Sequence, residues 1–340
     1  PKSKASPALL AHITTAKYVD GLPLHRQERQ FSRLGIELAR ATMASWIIKL
    51  GGYVLPIVNL LADLLLEAPL IHMDETRVQV LRSAKAPTAD HWMWVRCAGP
   101  PGRRIVLFDY DPSRAGHVPK RLLAGYEGIL LTDGYEAYGA AAAVGNIVHA
   151  GCWAHLRRKF EDARKVAHGE SSARAALDHI GRLYRIERQL REREADATTI
   201  LSTRQSESAP IVAQLQGWLN EMAGQVLPQS ALGKAIHYGL GQWSKLTVFL
   251  EHGEVPLDNN RCENAIRPFV VGRKAWLFSD TPSGATASAH LYSLVETAKA
   301  NGLEPLAYLT HVYSKLPTAS VLEDFEALLP WNVKAALTAR

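Results

Sequence analysis

Cysteine is scarce in this 340-residue chain: Cys97, Cys152 and Cys262 are its only three. Three thiols, odd in number and far apart, argue against a disulfide framework and fit a reducing compartment, so the expected location is cytoplasmic. Long apolar runs are missing too. The greasiest stretch, residues 55–70, is broken by Pro56, Asn59, Asp63, Glu67 and Pro69. A bilayer-spanning helix needs roughly 20 apolar residues, so membrane insertion is not expected. There is no repeat of fixed period, which excludes solenoids and arrays. The chain opens on Pro1, without Met and without a charged-then-apolar leader, which predicts a piece of a longer protein. A strong excess of one charge is also lacking. The net charge of +6 points only faintly to a polyanionic partner. What is present is ordinary globular composition, 47% hydrophobic and 21% charged. At about 150 residues per domain, the length allows two domains with room for a small third.

The chain begins with helical patterns. Ser6-Pro7 offers a cap and a first-turn proline for one helix, and Pro23 to Arg29 starts another. A turn at Leu34-Gly35-Ile36 leads into Ala39–Ile47, which gives the outline of a helix-turn-helix. The first fifty residues hold eight Lys or Arg (Lys2, Lys4, Lys17, Arg26, Arg29, Arg33, Arg40, Lys49) against three acidic residues. An ordinary helical hairpin with a solvated face shares that spacing. From residue 70 short β-rich runs follow: 70–73, 78–81, 91–95, 104–108 and 128–131, then 147–149. Helical spans are expected at 114–125 and 135–144. If the first two runs form one bent strand, the order is three hairpin-like strands, helix, strand, helix, strand, a mixed sheet with helices on its faces. Trp92 and Trp94 are expected to line one strand face as core. Residues 154 to about 250 read as helical, with a loop at 205–210, and a later helix spans about 285–301, ended by Gly302.

Chemistry concentrates where apolar strands run out. Asp74 follows Ile71-His72-Met73, and Asp133 follows Ile129-Leu130-Leu131-Thr132. Carboxylates gathered at strand ends need a compensating cation, and hard oxygen donors select Mg²⁺ or Mn²⁺. Two such aspartates can equally be turn formers. The third element is a helix start, Asp258-Asn259-Asn260-Arg261-Cys262-Glu263-Asn264-Ala265-Ile266-Arg267, with Asp258 or Asn259 as cap. Asn260, Glu263, Asn264 and Arg267 fall at i, i+3, i+4 and i+7 and share a face suited to a metal and phosphates, or to solvent.

These blocks carry a specific resemblance. Lys17–Glu28, Met73-Asp74-Glu75-Thr76, Thr132-Asp133-Gly134-Tyr135, Cys152–Phe160, Asp258–Pro268, Gly272–Phe278, Tyr292–Gly302 and Leu328–Asn332 run in order along nearly the whole chain. Together they resemble the transposases of insertion-sequence family sixty-six, within the D-D-E polynucleotidyl transferases. The resemblance implies an α/β fold with a ribonuclease-H-like mixed five-stranded sheet flanked by helices. It implies a catalytic domain from 69–153 and 255–302, a helical insertion at 154–254, a helix-turn-helix-like DNA-binding region at 1–60 and a C-terminal helical element at 303–340. The family's cysteine-rich zinc segment and preceding coiled coil have no counterpart here.

The resemblance further implies Asp74, Asp133 and Glu263 as the catalytic carboxylates, holding two divalent cations, Mg²⁺ or Mn²⁺. Cleavage at an element end and attack of the freed 3′-hydroxyl on target DNA would both be in-line displacements, without a covalent enzyme intermediate. Arg157, Arg158, Lys159, Arg261, Arg267, Arg273 and Lys274 are the expected DNA and phosphate contacts, although surface salt bridges would suit Arg261 and Arg267 as well. His155, Asn260 and Asn264 are expected behind the ligands, orienting them. Glu75 and Glu136 stand next to the aspartates in sequence, either in that supporting role or merely exposed. His149, Cys152 and His155 lack the fourth ligand and paired spacing of a structural zinc site, so Cys152 and Trp153 are expected in the core. Element ends and target DNA are the expected partners, in the bacterial cytoplasm at the nucleoid. Joining two ends favours a homo-oligomer, with accessory proteins a further partner class. A nuclease without strand transfer would need the same carboxylates; a DNA-binding regulator would need only the N-terminal helices.

Overall fold

Ser6 Oγ accepts the Leu9 N–H at 3.2 Å, and Pro7 occupies the first turn of α1 (Pro7–Tyr18). Proline costs nothing there, because the first N–H groups of a helix have no partner within it. The computed structural model describes residues 5–166 and 172–338; Lys2 and Lys4, counted above in the basic N-terminal stretch, lie outside them. α2 (Leu24–Arg33) follows Pro23, Gly35 turns the chain at φ +75°, and α3 (Arg40–Tyr53) and α4 (Leu55–Leu66) come next. Among the described residues no single helix is long and apolar enough to cross a membrane.

The first two β-rich runs are one ten-residue strand, β1 (Leu70–Gln79). It pairs antiparallel with β2 (Asp90–Ala98), which pairs antiparallel with β3 (Ile105–Asp111), with Asp74 opposite Val95 and Val95 opposite Phe108. Trp94 is fully buried as expected, whereas Trp92 is only half-buried, under the guanidinium groups of Arg77 and Arg114. Its place near the start of β2 leaves one ring face for cations to cover. α5 (His117–Leu122) is shorter than the expected 114–125.

The chain divides into two compact units, one made of Pro1–Leu122 and Arg261–Arg340, the other of Leu123–Asn260. The second unit opens with β4 (Ile129–Thr132), α6 (Glu136–Ala142) and β5 (Val148–Gly151); β4 and β5 are parallel. Strand order along the chain therefore follows the sequence reading. Helices then dominate: α7 (Trp153–Val166), α8 (Ala173–Glu192), α9 (Ala197–Thr203), α10 (Ala209–Ala223), α11 (Ala231–Gly241) and α12 (Trp243–Leu246). Trp153 anchors their core, donating from Nε1 to the Leu246 carbonyl at 2.8 Å and meeting Trp243 and Phe249 edge-on.

One expectation fails in this unit. Residues 205–210 are not a loop: Arg204–Ser208 form a π-helical turn that runs straight from α9 into α10. Pro210 sits in the first turn of α10, where proline is tolerated. The side chain of Arg204 holds the turn inward. It grips both Glu187 oxygens at 2.7 Å and donates to the carbonyls of Phe249 and His252.

The chain re-enters the first unit through α13 (Asn260–Trp276), followed by α14 (Pro282–Ala300), α15 (Pro305–Lys315), α16 (Leu322–Glu326) and α17 (Pro330–Thr338). Thr281 caps α14 and Gly302, at φ +72°, follows its end. Phe108 of β3, Phe269 of α13, and Tyr292 of α14 pack ring to ring, and Tyr18 of α1 joins them 4.8 Å from Tyr292. The first helix thus shares the core of this unit. Along α14 and at its C-cap, Ser293, Thr297 and Asn301 take up backbone groups of β3 and of the residue before it: Phe108 N–H at 2.8 Å, Val106 N–H and C=O at 3.0 and 2.9 Å, and Arg104 N–H and C=O at 3.0 and 2.7 Å. Side chains one turn apart thereby close a strand edge that would otherwise invite foreign pairing.

Candidate active site

In the first unit Asp74 and Glu263 converge on one buried thiol. Asp74 lies in the middle of β1, half-buried, its Oδ1 accepting the Glu75 N–H at 2.8 Å. Glu263 lies in the first turn of α13, also half-buried. Between them Cys262 is fully buried and reaches the Val95 carbonyl. Its thiol is pushed well up, by burial first, then by Cys97, and then by the negative charge of both Asp74 and Glu263. Two residues 189 positions apart thus act on one thiol, because Cys262, next to Glu263 in α13, reaches the carbonyl of Val95, the β2 residue paired with Asp74.

The face of α13 is arranged as its spacing predicts. Cys262, Ile266, Phe269 and Gly272 point inward, while Asn260, Asn264 and Arg267 are exposed. Arg261 is different from expectation in its surroundings: its guanidinium binds the carbonyls of Ala98 and Gly99, tying the helix start to the end of β2. Arg273 reaches Thr76 Oγ1 of β1 at 3.4 Å, and Lys274 is exposed. Glu75 is neither exposed nor turned with Asp74. Its carboxylate is 2% exposed, receives Arg114 Nε and Nη2 at 2.8 and 2.5 Å, and that guanidinium lies over Trp92.

In the second unit Asp133 caps its own turn, Oδ1 accepting the Tyr135 N–H at 2.9 Å. Around it stand Tyr238 and Lys245. The Tyr238 hydroxyl is pushed up by burial and by Asp133, and is hydrogen-bonded by the Gly134 backbone. Lys245 is lowered by burial, with Asp133 and Glu136 opposing that shift; Glu136 is exposed. His149 pairs with Thr132 Oγ1 at 2.8 Å and is lowered to about 4, by burial first and then by Lys245, so it is neutral near pH 7. Cys152 is buried and its sulfur accepts the Asn259 N–H. His155 is half-buried on the next turn of chain.

Arg157, Arg158 and Lys159 are exposed on α7. Arg157 lies over Tyr184, whose hydroxyl bonds Asp258, and Lys159 lies over Tyr238. Arg157, Arg158 and Lys165 open onto a shallow pocket of about 280 Å³ that reaches Tyr184 and Asp258. Asp258 also accepts the Asn260 N–H at 3.2 Å, so it does serve the start of α13. Tyr238, Lys245 and Arg114 escaped the sequence reading. Each acts across a gap in sequence, and only the glycine beside Asp133 hints that something approaches closely there.

Chemically, the first unit offers the carboxylate oxygens of Asp74 on a strand and Glu263 on a helix, and the second, taken by itself, offers that of Asp133 on a turn; oxygen donors of this kind suit hard divalent cations. Comparison with known proteins places the chain in a family. Residues 2–287 match the family described as Transposase IS66 family, and residues 293–331 match its partner description, IS66 C-terminal element. These are two parts of one class of protein, the insertion-sequence transposases. The chain belongs to the IS66 transposase family. It is similar to three proteins of Sinorhizobium fredii. It is 36% identical to Uncharacterized protein y4qI, over 96% of this chain and 62% of that protein. It is 33% identical to Uncharacterized protein y4jD, over 97% and 66%, and 30% identical to Uncharacterized protein y4hP, over 100% and 64%. The chain therefore spans a little less than two thirds of the length of these relatives.

Proposed function

We propose that the protein is a DNA transposase that cleaves at insertion-sequence ends and joins the 3′-hydroxyl to target DNA, as a D-D-E polynucleotidyl transferase of ribonuclease-H-like type. The observation that carries this reading is the convergence of Asp74 and Glu263 on Cys262, within a chain matched over nearly its full length by the family. Asp133 supplies the third carboxylate from the end of β4. Asp74, Asp133 and Glu263 would hold two Mg²⁺ or Mn²⁺ ions, which when bound activate the attacking oxygen and stabilise the leaving one. The exposed Arg157, Arg158, Lys159, Arg267 and Lys274 bind phosphates and hold the strand in line. Arg273 belongs with them through its place at the end of α13, and Arg261 serves by fixing the helix that presents Glu263. Asn260, Asn264 and His155 stand behind the ligands. On this reading α2 and α3 form the helix-turn-helix-like contact with DNA, and the protein works as a homo-oligomer in the cytoplasm at the nucleoid.

The test uses the full-length protein, a labelled element end, a target plasmid and Mg²⁺, with Glu263→Gln alongside. Joined product from the parent, lost in the variant, is expected. Cleavage without joining would indicate a nuclease, and intact binding with no chemistry from either would sink the enzymatic reading.

A further inference from the structure

The turn that carries Asp133 is held from outside itself. Asp133, Gly134 and Tyr135 leave β4 in one bend, and the direction of the carboxylate depends on that backbone. From α11 the ring of Tyr238 closes over Gly134: a Cβ there would stand 2.7 Å from Tyr238 Cε2 and 2.9 Å from the hydroxyl oxygen. The Gly134 backbone hydrogen-bonds the same hydroxyl. The ring also carries Lys159 of α7, whose Nζ lies 5.4 Å from its centroid. Gly134 is not in the left-handed region of φ, so the ring, and not the backbone, is what demands glycine at this position.

We propose that Tyr238 is the positioning residue of the Asp133 carboxylate, fixing its turn for a divalent cation and coupling it to the phosphate-facing cation Lys159. The inference rests on the reading of Asp133 as a metal ligand. Groups that orient a metal ligand are commonly worth about 10–100-fold in metal affinity, because an unconstrained ligand must be ordered when the ion binds. A mobile Asp133 turn would therefore weaken binding without removing any ligand.

The experiment is a Mn²⁺ titration of the full-length protein by calorimetry, with thermal melting of each variant and the Mg²⁺ concentration for half-maximal joining as further readouts. Asp133→Asn should abolish a Mn²⁺ site. Tyr238→Leu should weaken Mn²⁺ about 10-fold and raise the half-maximal Mg²⁺ in step, with excess Mg²⁺ restoring the rate. Tyr238→Phe, which keeps the ring and loses the hydroxyl, should fall between it and the parent. Gly134→Ala should behave like Tyr238→Leu by displacing the ring, and the double variant should be no worse than either single one. If Tyr238→Leu does not fold, Tyr238→Phe and Gly134→Ala carry the comparison. Parental Mn²⁺ affinity in the folded Tyr238 and Gly134 variants, with the site lost in Asp133→Asn, would overturn the positioning role alone. Unchanged Mn²⁺ binding in Asp133→Asn would overturn it together with the metal reading.

Discussion

Asp74 and Glu75 are adjacent in sequence and opposite in circumstance. Successive strand residues face opposite sides, so β1 turns Glu75 into the grip of Arg114 under Trp92 and leaves Asp74 beside Cys262 and Glu263. The two should separate cleanly on mutation. Asp74→Asn is expected to lower strand joining by more than about 100-fold, the upper range for groups that merely orient a ligand, with a melting temperature near the parent's. Glu75→Gln is expected to do the reverse: stability falls by about 1–3 kcal/mol as a buried charge-assisted hydrogen bond is lost, while joining persists in the folded fraction. His149 makes a pH-dependent contribution of definite sign. Its folded pKa of about 4 lies below the ordinary 6.5, so between those values the unfolded chain takes a proton that the folded one refuses. Stability therefore falls as pH drops from 6.5 through 4, by at most about 3 kcal/mol. His149→Gln, followed by denaturant unfolding across that window, should flatten the slope.

At the level of elements, the edge of β3 is the most exposed to a single change. Thr297 both accepts from Val106 N–H and donates to its carbonyl. Thr297→Val keeps shape and removes both bonds, so it should cost about 1–3 kcal/mol in chemical denaturation, with Thr297→Ser restoring most of it. This ladder shows what sequence could and could not convey. Ser6, Pro7 and Gly302 marked helix ends because capping is local chemistry, and the β-rich runs at 70–73, 78–81 and 128–131 marked strands because burial imposes a pattern. Asp74 and Asp133 stood out because each followed an apolar run, and Glu263 because carboxylates, amides and guanidinium groups crowd one helix start. Ser293 and Thr297, by contrast, read as ordinary helical residues; their meaning lies in β3, far away in the chain. Residues 205–210 misled for the same reason. Their serines and proline look like a loop, but Arg204 meets Glu187 and the carbonyls after α12, and those distant partners make the helical path the satisfied one. Arg261 read equally as a phosphate contact or a surface salt bridge, and its bonds to the Ala98 and Gly99 carbonyls could not be read from sequence because they lie more than 160 residues away.

For the whole molecule, the small net charge conceals how its cations are distributed. Arg96, Arg114 and Arg204 are engaged by acidic partners, and Arg261 by backbone carbonyls. Arg157, Arg158, Lys159, Arg267 and Lys274 are exposed. Each cation that meets a phosphate releases a condensed counterion, giving a slope of about −0.9 per contact in log K against log salt. Five such contacts predict a slope of about −4 to −5 for duplex DNA, although the net charge is only +6. Replacing Arg157, Arg158 and Lys159 together by Gln should make the slope shallower by about 3, equally for element-end and unrelated duplexes, because phosphate contacts carry no sequence information. Fluorescence anisotropy between low and physiological salt measures both quantities. An unchanged slope in the triple variant would remove α7 from the DNA-binding surface, and a flat response in the parent would remove DNA as the partner of the exposed cations altogether.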